Sequence, residues 1–413
     1  MLNKSPDKEN KTLLVISGGA EAVPGIKRAK AMGLHVVVSD MNPDAPGFEF
    51  ADDRLIASTY DIEQTVAVAR EYYLNKRRLD GVICMAADVP LTVASVADAL
   101  GLPGLSLEAA HLAADKLLMK QRFLRDGIAI PWFSAVQSLE QLRQIVKERG
   151  ARLIIKPVDS RGARGVLLLN EDVDLGWSYE HARSQSPTSR VMVEQYLPGP
   201  QVSSETVMVD GIGYTSGFSD RNYEYLERFS PYVIENGGEQ PSSLSSEHQQ
   251  AIIALAEQAG RSMGIMNGIA KGDMVMTADG PKVIEIAARL SGGWFSSDQI
   301  PLATGVDLVG AAIQLALGEK PDIEVLLPKY HKGVAIRYFL PQPGVVKAIH
   351  YVDEYAAKPW VHRLGFFVEP GEQIGTMSDH TKRAGFVITI GNDKTEALAR
   401  ADEVINNIVI EMQ

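Results

Sequence analysis

The chain has 413 residues, more than one ordinary hydrophobic core holds, so two to four structural units are expected. With 45% hydrophobic and 23% charged residues it has the composition of a soluble globular protein, and no apolar run reaches the roughly 18 residues of a membrane span. A net charge of −11 argues against nucleic acid or an anionic membrane as partner, but leaves a nucleotide ligand open, because local basic residues can dominate one cleft.

A single cysteine, Cys84, excludes an internal disulfide and makes the cytoplasm the natural compartment. The opening MLNKSPDKENK is polar and reads as a short disordered tail. Strand and helix then alternate. Leu13–Ser17 is an apolar β run broken by Gly18-Gly19, Ala22–Met32 a helix, and His35–Asp40 a strand. Asp61–Leu74 reads as a helix, Gly81–Met85 as a strand and Leu91–Leu100 as a helix closed by Gly101. This βαβ series predicts a parallel doubly wound sheet. Ser106–Arg125 is one helical stretch. A compact α/β segment follows, with strands at PWFSAV, RLIIKPV, GVLLL and RVMVEQYL and helices at 138–148 and 172–185. Two hairpins are expected, around Asp210-Gly211 and over 273–286, with a helix at Glu247–Gly264 between them. Residues 219–243 are irregular and aromatic. Asp307–Leu317 is a helix, and Glu319–Pro328 reads as a boundary. The rest is β-rich (GVAIRYFL, VVKAIHYV, GFVITI) and ends in a helix over Thr395–Ile410.

The second hairpin, KGDMVMTADGPKVIEIAARLSGG, carries the most chemistry. Pairing its strands symmetrically about Asp279 sets Thr277 opposite Pro281, Val275 opposite Val283 and Asp273 opposite Glu285. Opposed side chains sit about 5 Å apart at Cβ. Two carboxylates there repel unless a cation lies between them, and an oxygen-loving ion such as Mg²⁺ meets that need. The alternative is a surface hairpin with two solvated acids; the apolar flanks favour a buried sheet. Arg289 follows the strand and offers a bidentate grip on phosphate or carboxylate. The Ser291-Gly292-Gly293 loop lets a ligand approach the backbone.

Lys156 ends a buried strand, so an anion partner is expected for it. Lys116 starts a helix, where a solvated lysine is equally plausible. Ser160-Arg161-Gly162-Ala163-Arg164-Gly165 is a small, basic loop between strands. It can cover phosphates with its N–H groups or be an ordinary hairpin turn. Glu194-Gln195-Tyr196-Leu197 follows another strand, whose edge has main-chain groups suited to an adenine. Eight histidines are scattered, with no metal-ligand spacing among them.

In this order and spacing, Asp115-Lys116, Ile155-Lys156-Pro157, the loop 160–165, residues 194–197, Asp273, Glu285 and Arg289 resemble the ATP-grasp superfamily over residues 13–320. VIEIAARLSGG and the acidic, glycine-bearing loop 235–243 resemble L-amino acid ligases and related carboxylate–amine ligases; biotin carboxylase and carbamoyl-phosphate synthase are more distant. The resemblance implies an α/β fold in three parts: a Rossmann-like parallel-sheet domain (1–110), an ATP-grasp domain (111–320, with a small lid lobe about 130–193) and a β-rich C-terminal subdomain (321–413). It implies ATP and Mg²⁺, with Mn²⁺ as the alternative ion. Lys116 and Lys156 would contact phosphates, the loop 160–165 would close over them, and residues 194–197 would form the adenine hinge. Asp273 and Glu285 would hold the metal. Arg289 would be the catalytic residue that stabilises the transferring phosphoryl group.

Three positions depart from the family pattern. Asp273 stands where Glu is usual, Gln201 where an acid often binds ribose, and Ala287 where Asn often adds a metal ligand, so the number of metal ions stays open. The implied reaction activates a small carboxylate as an acyl phosphate, which an amine then attacks; a homodimer stays open. Residues 219–243 are expected to meet substrate, Arg221 taking a carboxylate and Glu235 an amine, with Tyr223, Tyr225, Phe229 and Tyr232 lining a pocket. Three other readings remain: a carboxylase that phosphorylates bicarbonate, a non-catalytic nucleotide-binding protein, and a dinucleotide oxidoreductase suggested by SGGAEAVPG with Asp40.

Overall fold

The computed structural model describes residues 10–150 and 152–413, so most of the expected N-terminal tail, residues 1–9, lies outside the described residues. The chain begins with a parallel sheet of β1 (Thr12–Ile16), β2 (His35–Asp40), β3 (Asp53–Ile56) and β4 (Gly81–Cys84), ordered β3-β2-β1-β4. β1, β2 and β4 are continuous apolar runs because both faces are covered. β3, Asp-Arg-Leu-Ile at the sheet edge, has alternating burial but no run of apolar residues, and was not expected. Gly18 N–H donates to Asp40 Oδ2 at 2.8 Å. That internal bond occupies the carboxylate on which a dinucleotide reading relied.

The expected single helix over 106–125 is two, Leu107–Ala114 and Lys116–Arg125. Asp115 breaks it by going extended (φ −127°, ψ 107°). From there its Oδ1 accepts from both Leu117 N and Leu118 N at 2.9 Å. A carboxylate that caps the next helix twice outweighs one more helical bond.

The next lobe is a four-stranded antiparallel sheet, β5 (Phe133–Val136), β6 (Leu153–Pro157), β7 (Leu167–Leu169) and β8 (Val191–Gln195), in the order β5-β8-β6-β7. Helices Leu139–Arg149 and Leu175–Ser184 close one face over Leu142, Ile155 and Leu169. The large sheet holds β9 (Gln201–Val209), β10 (Ile212–Arg221), β11 (Gly238–Gln240), β12 (Gly268–Thr277), β13 (Gly280–Ala287) and β14 (Gly333–Phe339). β15 (Gly344–His350), β16 (Val361–Phe366), β17 (Gln373–Ile374), β18 (Gly385–Gly391) and β19 (Val409–Met412) follow. The large sheet is ordered β13-β12-β9-β10-β11-β14-β18-β16, so it runs on past the connection at 319–328. β15, β17 and β19 form a separate small sheet. The last helix spans Lys394–Asn407, shorter than expected, because Val409–Met412 pairs with β15 instead.

Asp210 and Gly211 both take positive φ (49° and 78°), the mirror turn that suits strand twist, so the β9–β10 hairpin falls as expected. Behind β9, β12 and β13, the helix Ser246–Ser262 packs on Met208, Met274, Val283 and Ile286. The opposite face is apolar at Val207, Val209 and Ile269 and turns polar from Glu205 and Lys271 onward.

Candidate active site

The β12–β13 register differs from the symmetric expectation near the turn. Thr277 pairs with Gly280, Met276 with Pro281, Val275 with Lys282 and Met274 with Val283. A bulge at Ile284 then restores Asp273 opposite Glu285. An extra residue on one strand shifts every later side chain by one place, which moves Glu285 onto the face of Asp273. Across β12, Lys271 pairs with Glu205 and Asp273 with Ser203; on β13, Ala287 stands opposite Lys271. One polar sheet face therefore carries Lys271, Asp273, Glu285, Ser203, Glu205 and Arg221.

This face floors a cleft of about 420 Å³. Lys116, Lys156, Ser160, Arg161, Gly162, Ala163, Arg164, Glu194, Gln195, Tyr196, Leu197, Gln201, Arg221, Glu235, Asp273, Glu285, Arg289, Ser291, Gly292 and Gly293 all line it. Gly165 does not; it faces Pro157 and Gln185 inside the small lobe. Eight cationic side chains and six acids meet in the cleft, a local excess of positive charge in an acidic protein.

At one end, Lys116 heads the helix Lys116–Arg125. Its Nζ donates to Ser160 O at 2.8 Å and lies 3.3 Å from Glu285 Oε1. It is not a solvated lysine. Lys156 has its expected anion partner, but the partner is a side chain: Nζ is 2.5 Å from Glu194 Oε1. Lys120, missed in the sequence, lies 3.2 Å from Glu194 Oε2. All three side chains are at most 5% exposed. Burial pulls the Lys120 ammonium down to about 8 despite Glu194. β8 is an inner strand, not an edge. Gln195 N–H donates to Trp132 O at 2.8 Å and Tyr196 N–H to Arg152 O at 3.3 Å, so only from Leu197 does the hinge pass the ladder's end.

The glycine loop is shaped by three left-handed residues, Gly162, Ala163 and Gly165 (φ 63°, 60° and 72°). Gly162 O accepts from His380 N at 3.0 Å, and the Arg161 guanidinium lies 4.6 Å over the Tyr60 ring.

At the other end, Arg221 and Glu235 pair with each other. Arg221 Nε is 2.8 Å from Glu235 Oε2, and Arg221 Nη1 is 2.7 Å from Asp273 Oδ1. Lys271 also reaches Asp273. Burial would raise the Asp273 carboxyl, but Arg221 and Lys271 outweigh it and hold it well below the usual carboxylate range. Tyr223 lines this end, whereas Tyr225, Phe229 and Tyr232 do not. Arg383 stacks 3.7 Å from the centre of the Tyr338 ring. Burial, then the Arg383 guanidinium, hold His380 neutral, down at about 3, and its Nε2 accepts from Glu235 N at 3.3 Å. Glu21, from the N-terminal unit, accepts from Gly293 N at 2.8 Å. Burial of Glu205 raises its carboxyl, which accepts from Ser291 N at 2.8 Å and fixes the loop after β13. Glu21, Asp88, Lys120, Glu205, Lys271, Tyr338, His380 and Arg383 were missed. Lys271 was within reach, two residues before Asp273 on the same strand face.

Residues 113–293 match the family described as ATP-grasp domain, and residues 337–413 match L-amino acid ligase C-terminal domain 2. The chain therefore contains an ATP-grasp domain. This ATP-grasp chain is 26% identical to the uncharacterized protein y4rH of Sinorhizobium fredii over 97% of its own length and 83% of the relative's. It is 26% identical to phosphoribosylamine–glycine ligase of Methanococcoides burtonii, over 96% and 93%. The solved L-amino acid ligase from Bacillus licheniformis shares the fold, with a TM-score of 0.82, 22% identity and coverage of 98% and 99%. Among the described residues no helix is long and apolar enough to cross a membrane.

Proposed function

We propose that this ATP-grasp ligase joins a small carboxylate, an amino acid or a close relative of one, to an amine, with ATP converted to ADP through an acyl phosphate. The observation that carries the reading is that one cleft is lined both by Lys116, Lys156, Arg161, Arg164 and Arg289, cations suited to phosphates, and by Arg221, Glu235, Tyr223 and Arg383, groups suited to a carboxylate and an amine. The carboxylate–amine chemistry named in the L-amino acid ligase and phosphoribosylamine–glycine ligase relatives supports it.

The metal implied by the family fits the residues present. Asp273 and Glu285 are opposed oxygen donors on one face, and Asp273 is held ionised. Among the described residues no third His, Cys, Asp or Glu completes a cluster. That suits Mg²⁺ or Mn²⁺, which takes one or two carboxylates and fills its shell with phosphate oxygens and water. Such an ion, when bound, neutralises charge on the transferring phosphate. The chain's own work is positioning. Lys116 and Lys156 hold phosphate oxygens, residues 194–197 and Gln201 hold adenine and ribose, and the loop 160–165 excludes water. Arg289 steadies the charge that builds as the phosphoryl group moves to the carboxylate oxygen.

A phosphate-release screen over amino-acid pairs with MgATP tests the reading. Release stimulated by particular pairs supports it. Release stimulated by bicarbonate alone would indicate a carboxylase, and MgATP binding with no stimulated release a sensor.

A further inference from the structure

One carboxylate at the phosphate end has no part in the reaction above. Asp88 lies just past β4, beyond the C-terminal ends of the parallel strands, where open α/β sheets gather ligands. Its Oδ1 is 3.3 Å from Arg289 Nε and its Oδ2 is 4.0 Å from Arg161 Nε. Both Oδ1 and that Nε are buried, and neither has a hydrogen-bond partner among the described residues. The contact is one of charge without alignment. A buried N–H left unbonded is costly, so this pairing is not what fixes the fold. It is an arrangement that a better acceptor would remake. Burial pushes Asp88 up, but Arg289, Lys116 and Arg161 together hold it below the usual carboxylate range. The N-terminal unit thus places a fixed negative charge among three cations that come from the helix Lys116–Arg125, the glycine loop and the segment after β13.

We propose that Asp88 is a positioning residue: a resident counter-ion that holds Arg161 and Arg289 ready for the transferring phosphoryl group while opposing polyphosphate binding in the resting enzyme. This rests on the reading that the cleft binds ATP. The two effects have opposite signs when the charge is removed. Losing a like charge tightens polyphosphate binding, while losing the anchor of two arginines slows transfer. A residue that merely held the fold would weaken both.

The experiment titrates the full-length chain with the magnesium complex of the β,γ-methylene analogue of ATP and measures phosphate release from MgATP with the best pair from the screen. Asp88→Asn is expected to bind the analogue about tenfold more tightly, the order expected for deleting one charge near phosphate at a partly exposed site. Its phosphate release is expected to slow at least about tenfold, as for loss of one oriented cationic group. Asp88→Glu keeps the charge and should bind the analogue as the wild type does. Asp88→Ser supplies the same neutralisation if the Asn variant melts early. Unchanged or weaker binding by both neutral variants overturns the proposal, as does tighter binding with unchanged phosphate release. A wild type that binds no analogue overturns the ATP reading, and this proposal with it.

Discussion

Arg221 was expected to grip a substrate carboxylate, and the structure alters what its removal should do. Its guanidinium is 2.7 Å from Asp273 and 2.8 Å from Glu235, on side chains less than one-fifth exposed. Arg221→Met therefore leaves two part-buried carboxylates short of a cation. Breaking such a pair costs about 3–5 kcal/mol. Lys271 still reaches Asp273, and Arg383 stands 4.0 Å from Glu235, so the lower figure of about 3 kcal/mol is expected. The deficit has a pH signature. In the wild type the Asp273 carboxyl is depressed, so its stabilisation is present above the unfolded value of about 3.9 and is lost as pH falls further. In the variant, burial acts with less opposition and raises both carboxyls. Stability of the variant then falls as pH rises above that unfolded value, so the deficit is largest at neutral pH and smaller at pH about 4. Millimolar Mg²⁺ should restore the variant more than the wild type, since Asp273 is then freed for the ion. Urea unfolding at the two pH values, with and without Mg²⁺, measures all of this. A deficit that is constant with pH, or that grows toward acid, refutes the electrostatic account. In activity, KM for the carboxylate substrate should rise.

Asp273→Ala and Glu285→Ala should each abolish phosphate release while the far-ultraviolet circular dichroism stays that of the wild type; full activity in both removes the metal assignment. Glu194→Gln leaves two buried ammonium groups face to face and should cost about 3–5 kcal/mol. Lys120→Met removes only the surplus charge and should be neutral or stabilising at pH 7. Its advantage should fade as pH rises through about 8, where Lys120 gives up its proton in the fold. Gly237→Ala should cost about 2–4 kcal/mol, seen as a clear drop in melting temperature. Gly237 has φ +83°, and a Cβ there would stand 2.1 Å from Ile336 O, main chain that cannot move aside.

Most of the elements were legible because they are local. Apolar period, capping residues and turn glycines lie within a few positions of what they control. Some failures depend on partners that lie far off in the sequence. Asp115 looked like one more helical residue because its decisive partners include Arg190, 2.5 Å away and remote in sequence. Val409–Met412 continued an apolar pattern that helix and strand share, and only β15 decides between them. The hairpin is the most instructive case. Symmetric pairing about the turn was wrong from Thr277 to Met274, and the bulge at Ile284 corrected it before Asp273. The carboxylates face each other because the sheet accommodates one extra residue, which no periodicity reveals.

The site shows the same division between a sound rule and an unseen partner. A buried ammonium does require an anion, and Lys156 has one, yet the anion is Glu194 from the neighbouring strand. Arg289 likewise faces Asp88, and Asp273 faces Arg221 and Lys271. Charged residues found by motif are already partly neutralised by protein side chains, some of them marked in the sequence (Glu194, Glu285, Arg221) and some not (Lys120, Lys271, Asp88). This changes how the cleft must work. Under the proposed function, nucleotide phosphates would not enter a bare positive field; they would exchange with the carboxylates of Asp88 and Glu285 that now face Arg289 and Lys116. Affinity is then the difference between two sets of ion pairs, while the orientation of Lys116, Arg161 and Arg289 is set before any ligand arrives. A site built this way gives up some binding strength and keeps its catalytic geometry, which is the balance that favours turnover over tight binding of the ground state.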